Sequence, residues 1–219
     1  MFMRAVLMLA LTPLVARAQA SGSLFERLNL DKLRLSALGG GAGVMKPSQM
    51  LPTQAFQLHS DYGEIVPSWR VVFHATYWES RYTDRAVERF AAQFRTSVVD
   101  PSADDTLRRA QIKVSDIAVT ADLRYSPWQS ALLRTYIGAG AGVHVLNGEG
   151  RYISQTFIEN SLDNIAVGVL ALGGIDIALL PRLSFGAQGR FDLLSGISYA
   201  SFRVVGSYHF HDEVPGRKP

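Results

Sequence analysis

The chain has 219 residues, enough for one domain, with 22 Lys and Arg, 19 Asp and Glu, five His and no Cys, which excludes a disulfide framework and thiolate metal sites. The first twenty residues hold Arg4 and Arg17 and no acid, so setting them aside lowers the formal charge from +3 to +1. A nearly neutral chain with no clustered basic run gives no electrostatic case for nucleic acid.

Residues 1–20 have the form of an export signal: Arg4, an apolar run over Ala5–Val15, then ARAQA with small residues for cleavage after Ala18 or Ala20. The run is too short and wrongly flanked for a membrane helix. No later stretch supplies about twenty unbroken apolar residues in a helical context. Residues 21–32 form a lead-in, in which LFERLNL has the spacing of one or two helical turns.

Eight segments with a side-chain period of two follow over residues 33–210. The first, Leu33–Met45, sets Leu33, Leu35 and Ala37 against Arg34, Ser36 and Leu38, then turns to glycine at 39, 40, 41 and 43, which permits sharp curvature. In the second, Thr53–Glu64, Phe56, Leu58 and Tyr62 oppose Gln57, His59 and Asp61. The third alternates Trp69, Val71, Phe73, Ala75 and Tyr77 with Arg70, Val72, His74, Thr76 and Trp78. A long interruption, Thr83–Gln111, contains Val87, Phe90, Ala91 and Phe94 at helical spacing after a cap at Thr83 or Asp84, then an exposed turn over Asp100–Asp105.

The fourth segment sets Ile117, Val119, Ala121, Leu123 and Tyr125 against Asp116, Ala118, Thr120, Asp122 and Arg124. The fifth opposes Leu133, Thr135, Ile137, Ala139, Ala141 and Val143 to Arg134, Tyr136, Gly138, Gly140, Gly142 and His144. After a second loop, Asn147–Ser161, the sixth shares one face among Ile165, Val167, Val169, Ala171, Ile175, Ile177 and Leu179, and it carries Asp176. The seventh sets Leu183, Phe185, Ala187, Phe191 and Leu193 against Ser184, Gly186, Gln188, Arg190 and Asp192. The last, Ser198–Phe210, puts Tyr199, Ser201, Arg203, Val205, Ser207 and His209 opposite Ala200, Phe202, Val204, Gly206, Tyr208 and Phe210. Residues 211–219 are a polar tail.

The pattern predicts an all-β, eight-stranded antiparallel up-and-down transmembrane β-barrel. Connections centred on Pro67, Pro127 and Pro181 are tight and fall at one end, while the long ones fall at the other. Such topology puts both chain ends and the proline turns in the periplasm and the long loops outside. The apolar parity carries aromatics near strand ends, a girdle of Tyr62, Trp69, Tyr77, Tyr125, Tyr208 and Phe210. The polar parity collects a predicted lumen network: Arg34, His59, Asp61, Arg70, His74, Asp116, Asp122, Arg124, Arg134, His144, Asp176, Arg190, Asp192 and Arg203. A soluble barrel would bury the apolar set and expose this mixture of charge and glycine, a poorly covered surface for water.

The closing run SYASFRVVGSYHF, together with YIGAGAGVHVL and LSFGAQGRFDLL, resembles the small bacterial outer-membrane barrels of the OmpA-like and OmpX-like family. That resemblance implies an outer-membrane location, outer-membrane lipids and the barrel-insertion machinery as partners, a monomer, and a role as a structural protein, a narrow pore, an adhesin or a lipid-modifying enzyme. A barrel of eight strands has an interior just wide enough for side chains to fill it. The expected function is therefore structural, or a narrow small-solute or ion pore with a largely plugged polar lumen, without a cofactor. Two alternatives differ in class. A lipid-modifying acyl hydrolase or transferase needs Ser, His and an acid converging on the lipid side of the outer rim, and no nucleophile motif is found, so no catalytic residue is assigned. A binding or adhesion module would meet an extracellular ligand through residues 83–111. His209 and His211 share one side of an extended segment but lack a third ligand, so no metal site is assigned.

Overall fold

The computed structural model describes residues 34–95, 112–149 and 164–210, with side chains described throughout except over 90–95. Strands β1 (Ala37–Pro47), β2 (Thr53–Val66), β3 (Trp69–Arg81), β4 (Lys113–Gln129), β5 (Leu133–Glu149), β6 (Asn164–Leu180), β7 (Leu183–Leu194) and β8 (Ser198–His209) pair in sequence order, and β8 returns to β1. All eight pairings are antiparallel. Closure leaves no unpaired strand edge. A helix, α1 (Asp84–Arg95), follows β3, where helical spacing predicted it. The Thr83 carbonyl accepts from the amides of Ala86 and Val87 and starts its first turn.

The register fixes the shape. Starting at Ile165 of β6 and crossing hydrogen-bonded partners through Val145, Ile117, Tyr77, Phe56, Ala42, Val204 and Ala187, one circuit returns to β6 at Ile175. The wall is thus staggered, and its strands tilt by roughly 35–45° to the barrel axis. Every residue on that circuit faces outward.

Alternation decides which side chains face where. Leu58, Ile117, Val119, Val167, Val169 and Phe202 point out and are exposed, whereas Gln57, Asp116, Thr120, Gln188 and Arg203 point in and are buried. The usual distribution of a soluble protein is inverted: the polar groups are inside and the wall is apolar.

Three sequence expectations require correction. Arg34 lies exposed ahead of β1 and not in the lumen. The strand begins at Ala37 with that residue buried, so the inward set is Ala37, Gly39, Gly41, Gly43 and Met45, and Leu38 points out; a stretch of glycines has too few side chains to reveal its own phase. The turn expected at Pro127 lies further on, at 130–132. A bulge between Tyr125 and Trp128 absorbs the proline, after which Trp128 and Gln129 pair with Thr135 and Arg134. Pro67 and Pro181 do sit at their turns, and Ser68 takes a positive φ of 69° in the first. The Asp100–Asp105 turn and most of the 147–161 loop lie outside the described residues.

Inward glycines on β1 and β5 bring neighbouring backbones close. A Cβ on Gly43 would collide with the Phe202 carbonyl of β8, and one on Gly140 with the Ala121 carbonyl of β4. The wall therefore bends sharply at these two seams, four strands apart, and only glycine fits.

Candidate functional site: the filled lumen

The lumen has two layers. The wider, polar one lies toward the tight turns. Among the described residues, five arginines (70, 124, 134, 190, 203) and five aspartates (61, 116, 122, 176, 192) are buried inside the barrel with His59, His74, His144 and His209. Removing charge from water costs several kcal/mol per ion unless a partner and hydrogen bonds compensate, so the pairing is what permits this interior.

The strand period supplies it. Residues i and i+2 share a face, which sets Arg124 Nε 2.7 Å from Asp122 Oδ2 and Arg190 Nη2 2.7 Å from Asp192 Oδ1. Cross-strand register supplies the rest. Arg134 stands opposite Asp176 and donates to it at 2.7 Å, and Arg70 reaches Asp61 at 2.6 Å. Asp61 also accepts from the Gly63 amide at 2.8 Å. His74 Nε2 is 2.6 Å from the other oxygen of Asp122, and the Arg124 guanidinium lies over the Tyr136 ring at 4.6 Å. Arg190 donates to Thr120 Oγ1, and Arg203 donates to the Gln57 amide oxygen at 2.6 Å. His59 meets Ser207 and His209 meets Ser184. A gap among His59, Asp61, Arg124, Arg134, Asp176 and His209 has room for about a single water.

Toward the loop end the chemistry changes. Met45, Ala55, Trp78, Val114, Leu146, Ala166, Leu194 and Tyr199 form one packed cluster, and each comes from a different strand, β1 through β8 in turn. They make an apolar collar. Met50, from the β1–β2 connection, packs into the same cluster with none of its surface exposed. Beneath, Asp116 Oδ2 accepts from Trp78 Nε1 at 3.1 Å, lies 2.9 Å from His144 Nδ1 and accepts from the Tyr199 hydroxyl at 3.4 Å. One carboxylate thus orients two of the collar's aromatics.

Every residue of the predicted lumen network other than Arg34 is buried on the inner face. Trp78, Tyr136, Tyr199, Gln57, Thr120 and Gln188 belong with them on strand parity, and so does His209, which the sequence weighs only as a partner of His211 in a metal pair. Met50 had no such signal, since a connection has no period. The girdle residues lie on the outer wall: Trp69 and Tyr125 pack together across β3 and β4, as do Tyr208 and Phe210 along β8, with Tyr62 against Phe73. These five lie toward the tight turns, and Tyr77 lies toward the loops.

All four described histidines face inward. His211 lies outside the described residues. No group of three or more His, Asp or Glu placed to hold a metal ion occurs among the described residues. In α1, Ala86 and Val87 are buried while Arg85, Glu88 and Arg89 are exposed; the side chains of Phe90 and Phe94, the rest of the predicted stripe, lie outside the described set.

No protein-family model matches the chain, and no curated protein sequence does. Solved structures do match. The chain is similar to Neisserial surface protein A (NspA) at a TM-score of 0.50 and 13% identity, over 80% of this chain and 96% of that one. It is similar to a major outer membrane protein from Thermus thermophilus at 0.49 and 10%, over 81% and 100%. The match to Ail, the attachment invasion locus protein of Yersinia pestis, solved with the heparin analogue sucrose octasulfate, is 0.45 and 12%, over 81% and 100%. The fold is that of the small eight-stranded outer-membrane barrels.

Proposed function

We propose that this chain is an exported outer-membrane β-barrel with a sealed lumen, a structural envelope protein whose loop end faces the exterior. The observation that supports it most is the filling of the interior: paired charges occupy one layer and an apolar collar closes the other. The outer wall supports the membrane location. A continuous surface of exposed Val, Ile, Leu and Phe far exceeds the patches a soluble monomer tolerates, and hydrocarbon is its compatible solvent. The polar tail, both termini and the proline turns are then periplasmic.

Single-channel recording on the refolded protein in a planar bilayer tests the proposal. We expect insertion without conductance steps. Discrete steps of stable size would make it a narrow pore instead.

The placement of α1 favours one second reading. The helix stands at the loop end with its Ala86 and Val87 side buried and Arg85, Glu88 and Arg89 presented, an arrangement suited to surface binding through residues 83–111. Deleting that segment would abolish cell-surface binding while leaving barrel assembly intact; loss of assembly would show the segment to be structural.

A further inference from the structure

We infer that the β1–β2 connection is a removable stopper, with Met50 closing the eight-residue collar and controlling entry of water and small solutes to the polar layer from the loop end. The inference deepens the sealed-lumen reading by naming the seal. Three observations carry it.

The collar is complete. One inward residue from every strand joins a single packed cluster, Met50 is its fully buried member from outside the strands, and Tyr82 and Ile197 pack against it half-buried. Methionine is suited to this role, since its unbranched, flexible side chain fills an irregular apolar hole.

The strap carrying it is held at both sides by bonds at the loop ends of the β1–β8 and β2–β3 ladders. The Ser48 amide donates to the Ser198 carbonyl at 2.7 Å, and the Ser198 amide to Ser48 Oγ at 3.1 Å. On the other side, the Leu51 amide donates to the Arg81 carbonyl, Ser80 Oγ donates to the Leu51 carbonyl, and Thr83 donates to the Gln49 carbonyl through both its amide and its hydroxyl. Met50 itself forms an isolated bridge with Tyr82. Gln49 takes a φ of 65°, a left-handed conformation that is uncommon for a residue other than glycine. The strap is thus a local clasp whose release costs only terminal rungs and leaves the paired lengths of β1 to β8 intact.

What lies beneath would take up water. Asp116 Oδ1, Ser201 Oγ, Arg203 Nε, Gln57 Nε2 and Gln188 Oε1 are buried polar atoms without a protein partner. A hydrophobic constriction above a polar chamber is a barrier to water, and it is abolished when the constriction widens.

Accessibility of a thiol under the collar is the test, and the absence of native cysteine makes it clean. Ala118, fully buried and inward on β4 beyond Val114 and Asp116, becomes the reporter as Ala118→Cys. In a separate protein, exposed Gln49→Cys shows on which side of a proteoliposome the strap lies. A small cationic methanethiosulfonate is then applied on the side where Gln49→Cys reacts, so the result does not depend on the assumed orientation. We expect Ala118→Cys to react at least tenfold faster when combined with Met50→Gly, and at the original rate when combined with Met50→Leu, which restores the volume. Equal rates in the Met50→Gly and parent backgrounds would overturn the proposal. Should Met50→Gly fail to assemble, Ser80→Ala with Thr83→Val loosens the clasp and leaves the collar intact. Several-fold faster labelling in that variant supports a releasable strap, and an unchanged rate overturns it.

Discussion

At the scale of single residues, the interior is a problem of charge compensation solved by pairs. Asp122 illustrates it, because one carboxylate serves both Arg124 and His74. Asp122→Ala would leave the Arg124 guanidinium buried with its nearest anion gone, and is expected to destabilise the barrel by about 3–5 kcal/mol in urea unfolding from lipid vesicles. Replacing Asp122 and Arg124 together by apolar residues of similar volume should recover most of that loss, since the cost lies in the orphaned charge more than in the missing pair. Much of this site was legible beforehand: the two-residue period alone assigned Asp116, Asp122, Arg124, Arg190 and Asp192 to one side. Partner choice was not, because whether Arg134 meets Asp176 or Asp61 depends on register between strands remote in sequence.

At the scale of elements, a strand is legible where its two faces differ in chemistry and obscure where they do not. β3 is legible from end to end, and β4 as far as Tyr125, since aromatic and aliphatic residues on one face oppose charged and polar ones on the other. β1 read out of phase because Gly39 to Gly43 lacks the contrast. The bulge at the end of β4 was invisible for another reason: proline marks an interrupted ladder, and interruption occurs at bulges as well as at turns. The glycines themselves have a measurable consequence. Gly140→Ala introduces a Cβ against the β4 backbone and is expected to cost at least 1–3 kcal/mol in the same unfolding assay, by overpacking. The outward-facing Gly189 has open space for a Cβ, so Gly189→Ala should cost under about 1 kcal/mol, within the range of ordinary surface substitution.

At the scale of the whole molecule, the fold turns a soluble protein inside out, and the two surfaces therefore respond oppositely to the same change. Val119 and Val169 are exposed on the middle of the outer wall. Arginine at either is expected to cost about 2–4 kcal/mol in a bilayer, as for lipid-facing positions near the midplane, and to be nearly neutral in a detergent micelle loose enough to hydrate it. Equal tolerance in both media would contradict the lipid-facing assignment. The number of strands, their order and closure followed from the count of amphipathic segments. The division of the lumen into a charged layer and an apolar collar did not, because it arises from eight residues spread from Met45 to Tyr199 that only the register of the closed wall packs together.

The unequal strand lengths bear on how the protein sits among lipids. On β6, outward residues from Ile165 to Leu179 are all apolar or glycine, a run of about 35 Å along the barrel axis at the expected tilt, while the equivalent run on β7, Leu183 to Leu193, spans about 25 Å. A hydrocarbon slab of about 25 Å matches the second and not the first. The mismatch is relieved when the barrel leans to bring its tall side obliquely across the slab, or when nearby acyl chains stretch to meet it. In the membrane placement proposed above, lipids beside β6 should differ from those beside β7, and a thicker bilayer should bring the barrel axis closer to upright.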